Sequence, residues 1–86
     1  MQIELAHATQ VRTLSELTNE LNESLGAILL NCDASLRWLD RAEPDLSEAL
    51  TSIRRVLADA HRAAETVVRV GKLATSAQTS SARRQD

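Results

Sequence analysis

The sequence has almost nothing from which to build a tight turn, an aromatic core or a cysteine framework. Phe and Tyr are absent, Trp38 is the one aromatic residue, and the 86 residues hold two glycines, one proline and one cysteine. A single cysteine excludes an internal disulfide and a cysteine-based metal site, which fits a reducing compartment. Two isolated glycines cannot form a phosphate-cradling loop, and His7 and His61 are too far apart in sequence to read as a metal-ligand pair. There is no Ser-His-Asp set. No apolar run approaches the ~18 residues of a membrane span, and Met1-Gln2-Ile3-Glu4 begins nothing like a signal peptide. These absences predict a soluble, cytoplasmic chain with no metal and no cofactor. A formal net charge of −2 and a pI near 5.6 argue against nucleic acid as the main partner.

What is present is helix-forming. The chain is rich in Leu, Ala, Glu and Arg, which predicts an all-α fold. Val11, Leu14, Thr18, Leu21, Leu25, Ile28, Cys32, Ser35 and Leu39 follow alternating steps of three and four, the spacing of one helical stripe. Leu17, Leu29 and Leu36 widen it, as suits a helix with two or three neighbours. Helix 1 is expected over about 3–40, with residues 1–10 as an overhang. The pattern breaks at Asp40-Arg41-Ala42-Glu43-Pro44, because proline biases the residue before it away from helical angles. Asp45-Leu46-Ser47-Glu48 reads as a capping box opening helix 2 at about 46–74. Its stripe is Leu46, Leu50, Ile53, Leu57, Ala60, Ala64, Val67, Gly71 and Ala74.

A turn over 41–45 makes the helices antiparallel neighbours. Centring it near residues 42 and 43 sets the two stripes against each other, Cys32 with Ile53 and Ile28 with Leu57. The same register predicts ion pairs Glu23 with Arg62 and Glu16 with Arg69, and close packing at Ala60, Ala64, Gly71 and Ala74. Residues 75–86 have no periodicity and read as a disordered tail. A hairpin of this size buries too little to offset chain entropy of about 1.5 kcal/mol per ordered residue, so self-association is expected. The architecture expected over residues 11–74 is therefore an antiparallel two-helix hairpin, dimerising into a four-helix bundle. Its dimer core is Leu14, Leu21, Leu25, Ile28, Ile53, Leu57 and Val67, and Cys32 reads as a small core residue.

The run Leu17-Thr18-Asn19-Glu20-Leu21-Asn22-Glu23-Ser24-Leu25-Gly26-Ala27-Ile28, followed by Asn31-Cys32-Asp33-Ala34-Ser35-Leu36-Arg37-Trp38-Leu39-Asp40-Arg41, resembles the dimerisation and histidine-phosphotransfer domain of sensor histidine kinases. Arg62-Ala63-Ala64-Glu65 extends the resemblance into helix 2. The resemblance implies a homodimeric bundle with an exposed functional residue on the first helix, at Asn19. In that family the matching residue is a histidine that takes the γ-phosphoryl group of ATP and passes it to a response regulator. The amide nitrogen of Asn19 has its lone pair delocalised into the carbonyl and cannot be that nucleophile.

Further departures follow. Glu20 keeps the family's neighbouring carboxylate but has no imidazole to activate. Glu23 replaces the Thr, Asn or Gln that orients water in kinases with phosphatase activity, and Ser24 replaces a helix-kinking proline. The Gly-rich ATP-binding domain has no counterpart in the sequence. The expectation is a non-catalytic module that binds a response-regulator receiver domain or a cognate sensor histidine kinase through Asn19, Asn22, Glu23, Leu25, Arg62 and Thr66. Two alternatives stand beside it: phosphotransfer by an exposed His61 near Ser24, or a bare oligomerisation hairpin. Trp38 reads as closing the bundle at the turn.

Overall fold

The computed structural model describes the backbone of residues 2–85 and the side chains of residues 4–79; Met1 and Asp86, the outermost residues of the expected overhang and tail, lie outside the described residues. Two helices, α1 (Gln2–Leu39) and α2 (Leu46–Gln85), form an antiparallel hairpin of 67 × 19 × 13 Å. The fold is all-α among the described residues, and it is a single layer. Domains normally close a core between at least two layers. Here there is one layer, and among the described residues no side chain is fully enclosed.

The turn follows the local chemistry of the sequence. The Asp40 and Asp45 amides donate to the carbonyls of Leu36 (2.8 Å) and Trp38 (2.9 Å), which folds the chain back at Pro44. Asp45 Oδ1 then accepts the Glu48 amide at 3.0 Å, satisfying one of the free donors at the start of α2. The reciprocal half of the expected capping box is not made, because the Asp45 amide is taken by the Trp38 carbonyl. The guanidinium of Arg41 lies 4.2 Å from the Trp38 ring centroid, and the half-buried ring lies against the turn as the sequence suggested.

Past residue 74 the expected disordered tail is instead helical: α2 runs without interruption to Gln85. No Gly or Pro follows Gly71, and the Thr75 and Thr79 hydroxyls back-bond to the carbonyls of Gly71 and Thr75, both at 3.0 Å. Polarity without periodicity removes the apolar face of a helix but not its backbone ladder.

The largest correction concerns which residues meet inside the hairpin. The two leucine stripes do not face each other. The buried positions are Leu17, Ser24 and Ser35 on α1, and Ala49, Ser52, Asp59, Ala63 and Thr66 on α2. Leu14, Leu25, Leu39, Leu46, Leu50, Ile53, Leu57 and Val67 are 39–65% exposed. Leu21 and Ile28 are half-buried at the boundary. At about 100° per residue, the stripe is centred about 65° round α1 and about 100° round α2 from the buried seam, on the same rotational side. Antiparallel helices then present both stripes on one side of the hairpin.

The other consequences follow from that rotation. Cys32, expected in a core, is exposed in the hairpin. Ala60, Ala64, Gly71 and Ala74 are exposed too, and a Cβ placed on Gly71 would meet nothing within 4 Å, so the expected close packing against α1 is absent. The ion pairs move as well. Arg69 bonds Glu20 (3.0 Å) rather than Glu16, one helical turn away, and Arg62 bonds Asp59 on its own helix rather than Glu23.

Candidate functional site

Apart from Leu25 on the leucine stripe and Thr66 in the seam, the expected partner-contact residues fall on the side of the hairpin away from that stripe or on the outer surface of α1. Asn19, Asn22 and Glu23 are exposed. Asn19 projects roughly opposite the buried seam, as the position of Leu17 two residues earlier in the seam requires. Glu20 is not free to act on it, since its Oε2 accepts from Arg69 Nη1 at 3.0 Å. Both partners are about half exposed, with side chains at 56% and 47%, so this link is weak and serves mainly to fix the register.

Two of the proposed contact residues on α2 behave differently from each other. The Arg62 side chain is 66% exposed and bonds the Asp59 carboxylate, whose side chain is 10% exposed. Thr66 is 4% exposed, and its hydroxyl donates to the Arg62 carbonyl at 3.0 Å. Thr66 is therefore a seam residue; it was expected at the surface from the family resemblance, which carries no information about this hairpin's own seam. Leu25 is 45% exposed and belongs to the leucine stripe.

Between the helices on this polar side lies a groove of ≈ 200 Å³, where Glu20, Glu23 and Ser24 of α1 face Arg62, Glu65 and Arg69 of α2. His61 is exposed and does not line it. His7 lines a separate cavity of ≈ 230 Å³ at the open end, with Val11, Leu14, Val70 and Leu73. Toward the turn, Leu30, Ala34 and Trp38 form a small apolar patch rimmed by the Asp33–Arg37 pair (3.1 Å).

Sequence reasoning missed the buried Asp59 and the outward-facing Leu30. The signal for Asp59 was available: it stands seven residues before Thr66 and four before Ala63, the step pattern of a stripe made of small and polar residues. Among the described residues, no three His, Cys, Asp or Glu side chains converge as metal ligands, and no helix is long and apolar enough to cross a membrane.

An antiparallel helical hairpin with one leucine-rich face and one charged groove is the geometry on which comparison with known proteins can be judged. No family model matches the chain, and no solved structure matches it. The chain is similar to a region of a sensor histidine kinase. That relative is the sensor histidine kinase TmoS of Ectopseudomonas mendocina, 31% identical over 71 residues that make up 78% of this chain. The chain spans 7% of the length of that kinase. The hairpin is thus a histidine-kinase-related region.

Proposed function

We propose that this chain is a non-catalytic dimerisation module of two-component signalling. It forms a homodimeric four-helix bundle in the cytoplasm and binds a receiver domain of a response regulator or a cognate kinase. One observation supports the reading: Asn19, the residue that the sequence resemblance sets at the phosphoacceptor position, is exposed on the hairpin, and the adjacent carboxylate of Glu20 is held by Arg69. An amide cannot accept the phosphoryl group, whereas an exposed amide on a rigid helix can be recognised.

Surface area supports the dimer. A compact protein of 9.4 kDa exposes about 5,000 Å². This chain exposes 6958 Å². The excess of about 2,000 Å² is more than the ~800 Å² per partner that a standard interface covers. The leucine stripes supply a face on which to bury it, and the candidate core residues Leu14, Leu25, Ile53, Leu57 and Val67 all lie there with Leu21 and Ile28 along its edge. The polar groove is on the opposite side and stays open in such a dimer.

Calorimetry of the chain against receiver domains, combined with mixing against kinase homodimers, tests the reading. Saturable heat with at least one receiver, or formation of mixed dimers, is the expected outcome. No binding and no mixed dimers would sink it. A phosphorylated receiver should leave the chain unlabelled; label that disappears in His61→Ala would instead establish the phosphotransfer alternative.

A further inference from the structure

The groove on the polar side contains two kinds of charged group. Glu20 and Arg69 neutralise each other, and Arg62 is engaged by Asp59. Glu23 and Glu65, which also line the groove, have no ion-pair partner among the described residues. The groove thus keeps two uncompensated carboxylates, one from each helix.

A second, independent feature points into the same space. Ser24 is 5% exposed, lines the groove, and makes no side-chain hydrogen bond within the described residues. No fully enclosed side-chain polar atom in the described chain is left without a partner. The Ser24 hydroxyl is therefore not fully enclosed, and the groove that Ser24 lines is the open space beside it from which a partner can reach it. Ser35 and Thr66 back-bond to Asn31 and Arg62, whereas Ser52, 4% exposed, shares with Ser24 the lack of a side-chain hydrogen bond within the described residues but does not line the groove. A hydroxyl that can accept a hydrogen bond, beside two carboxylates, is an acceptor-rich site.

We infer that this groove receives a basic side chain, lysine or arginine, from a protein partner, with Glu23 and Glu65 supplying the charge and Ser24 Oγ a third acceptor. The inference rests on the reading that this side of the hairpin docks a partner, and it specifies the chemistry of the contact. A cavity of ≈ 200 Å³ has room for one such side chain. Charge-assisted hydrogen bonds from a single cation to acceptors on both helices also link α1 to α2, so docking would reinforce the weakly held seam. The carboxylate of Glu23, close to the surface on which Asn19 stands, disfavours a phosphorylated partner at the same contact. The partner recognised is the one that presents a cation there and carries no phosphoryl group beside it.

Backbone amide spectra of the full chain should be recorded during titration with N-acetyl-arginine amide, and in parallel with the uncharged isostere N-acetyl-citrulline amide. Saturable shifts at Glu23, Ser24 and Glu65 with the arginine compound alone are expected, lost in Glu23→Gln/Glu65→Gln and weakened in Ser24→Ala. Equal shifts with citrulline, or shifts that survive the double substitution, overturn the inference. Any receiver domain that binds the chain should bind Glu23→Gln/Glu65→Gln about tenfold more weakly, the loss typical of a charge-assisted contact; unchanged affinity also overturns it. If the arginine compound binds as described and no receiver does, the groove stands and the receiver-binding function falls.

Discussion

Ser24, Ser35, Ser52, Asp59 and Thr66 are buried against the opposite helix, whereas Leu25, Leu29, Leu36, Leu50, Ile53 and Leu57 look into water. The two faces lie about a quarter-turn apart on the same helices. The buried face carries small polar residues, and among the described residues its only cross-helix side-chain bond is the exposed Arg69–Glu20 link. The exposed face carries much of the large apolar surface. Apolar area is the dominant favourable term in folding. The face that holds the hairpin shut is thus the weaker one, and closure of the hairpin depends on what covers the stronger. A four-helix bundle uses both faces, since each of its helices has two adjacent neighbours.

The comparison can be broken first at the leucine face. Leu57→Asp places a charge in the proposed dimer core and should cost about 3 kcal/mol or more per chain, abolishing association and the cooperative thermal transition together. Circular dichroism melting at two protein concentrations checks this. A variant that melts as the wild type does would mean the face is uncovered in solution.

Adjacent leucines sharpen the distinction. Leu25→Ala, on the stripe, should cost about 2 kcal/mol, while Leu30→Ala, on the outer surface of α1, should stay within about 0.5 kcal/mol. In the hairpin alone Leu30 is 73% exposed and Leu25 45%, so neither would be expected to cost much without a covering partner. Urea midpoints of the two variants separate the cases.

At the seam, Arg62→Ala leaves the Asp59 carboxylate without its partner and should cost about 1 kcal/mol, discounted because Arg62 is largely solvated. Asp59→Ala/Arg62→Ala should recover most of that loss, and a double-mutant cycle from denaturant curves measures the coupling. The smallest effect belongs to Glu20→Gln, which removes an exposed pair worth less than about 1 kcal/mol and should vanish in high salt.

Much of this fold was legible in the sequence, for reasons that differ by element. The span of α1, the start of α2, the break at Pro44 and the cap at Asp45 depend on local backbone chemistry and were read within a residue or two, whereas the end of α2, expected near residue 74, lies at Gln85. Most of the leucine stripe was also legible, but Ser35, assigned to it, and Leu17, assigned to its edge, lie in the buried seam. The stripe's partner was misassigned, because periodicity reports which side chains avoid water and not which surface covers them. The seam was illegible for the opposite reason. Ser35 and Thr66 satisfy their hydroxyls on their own helix, at Asn31 and Arg62, so they can be buried without looking apolar. At the candidate site, Asn19, Asn22, Glu23 and Arg62 were rightly placed on the surface. Thr66 was not, and the contribution of Ser24 emerged only once the groove between the helices was in view.

The claim on which the account depends is that a second copy covers the leucine face, and light scattering coupled to size exclusion measures it most directly. At micromolar concentration the wild-type chain should elute with twice its 9.4 kDa mass, and Leu57→Asp should not. A folded, helical wild-type chain at 9.4 kDa would contradict the account.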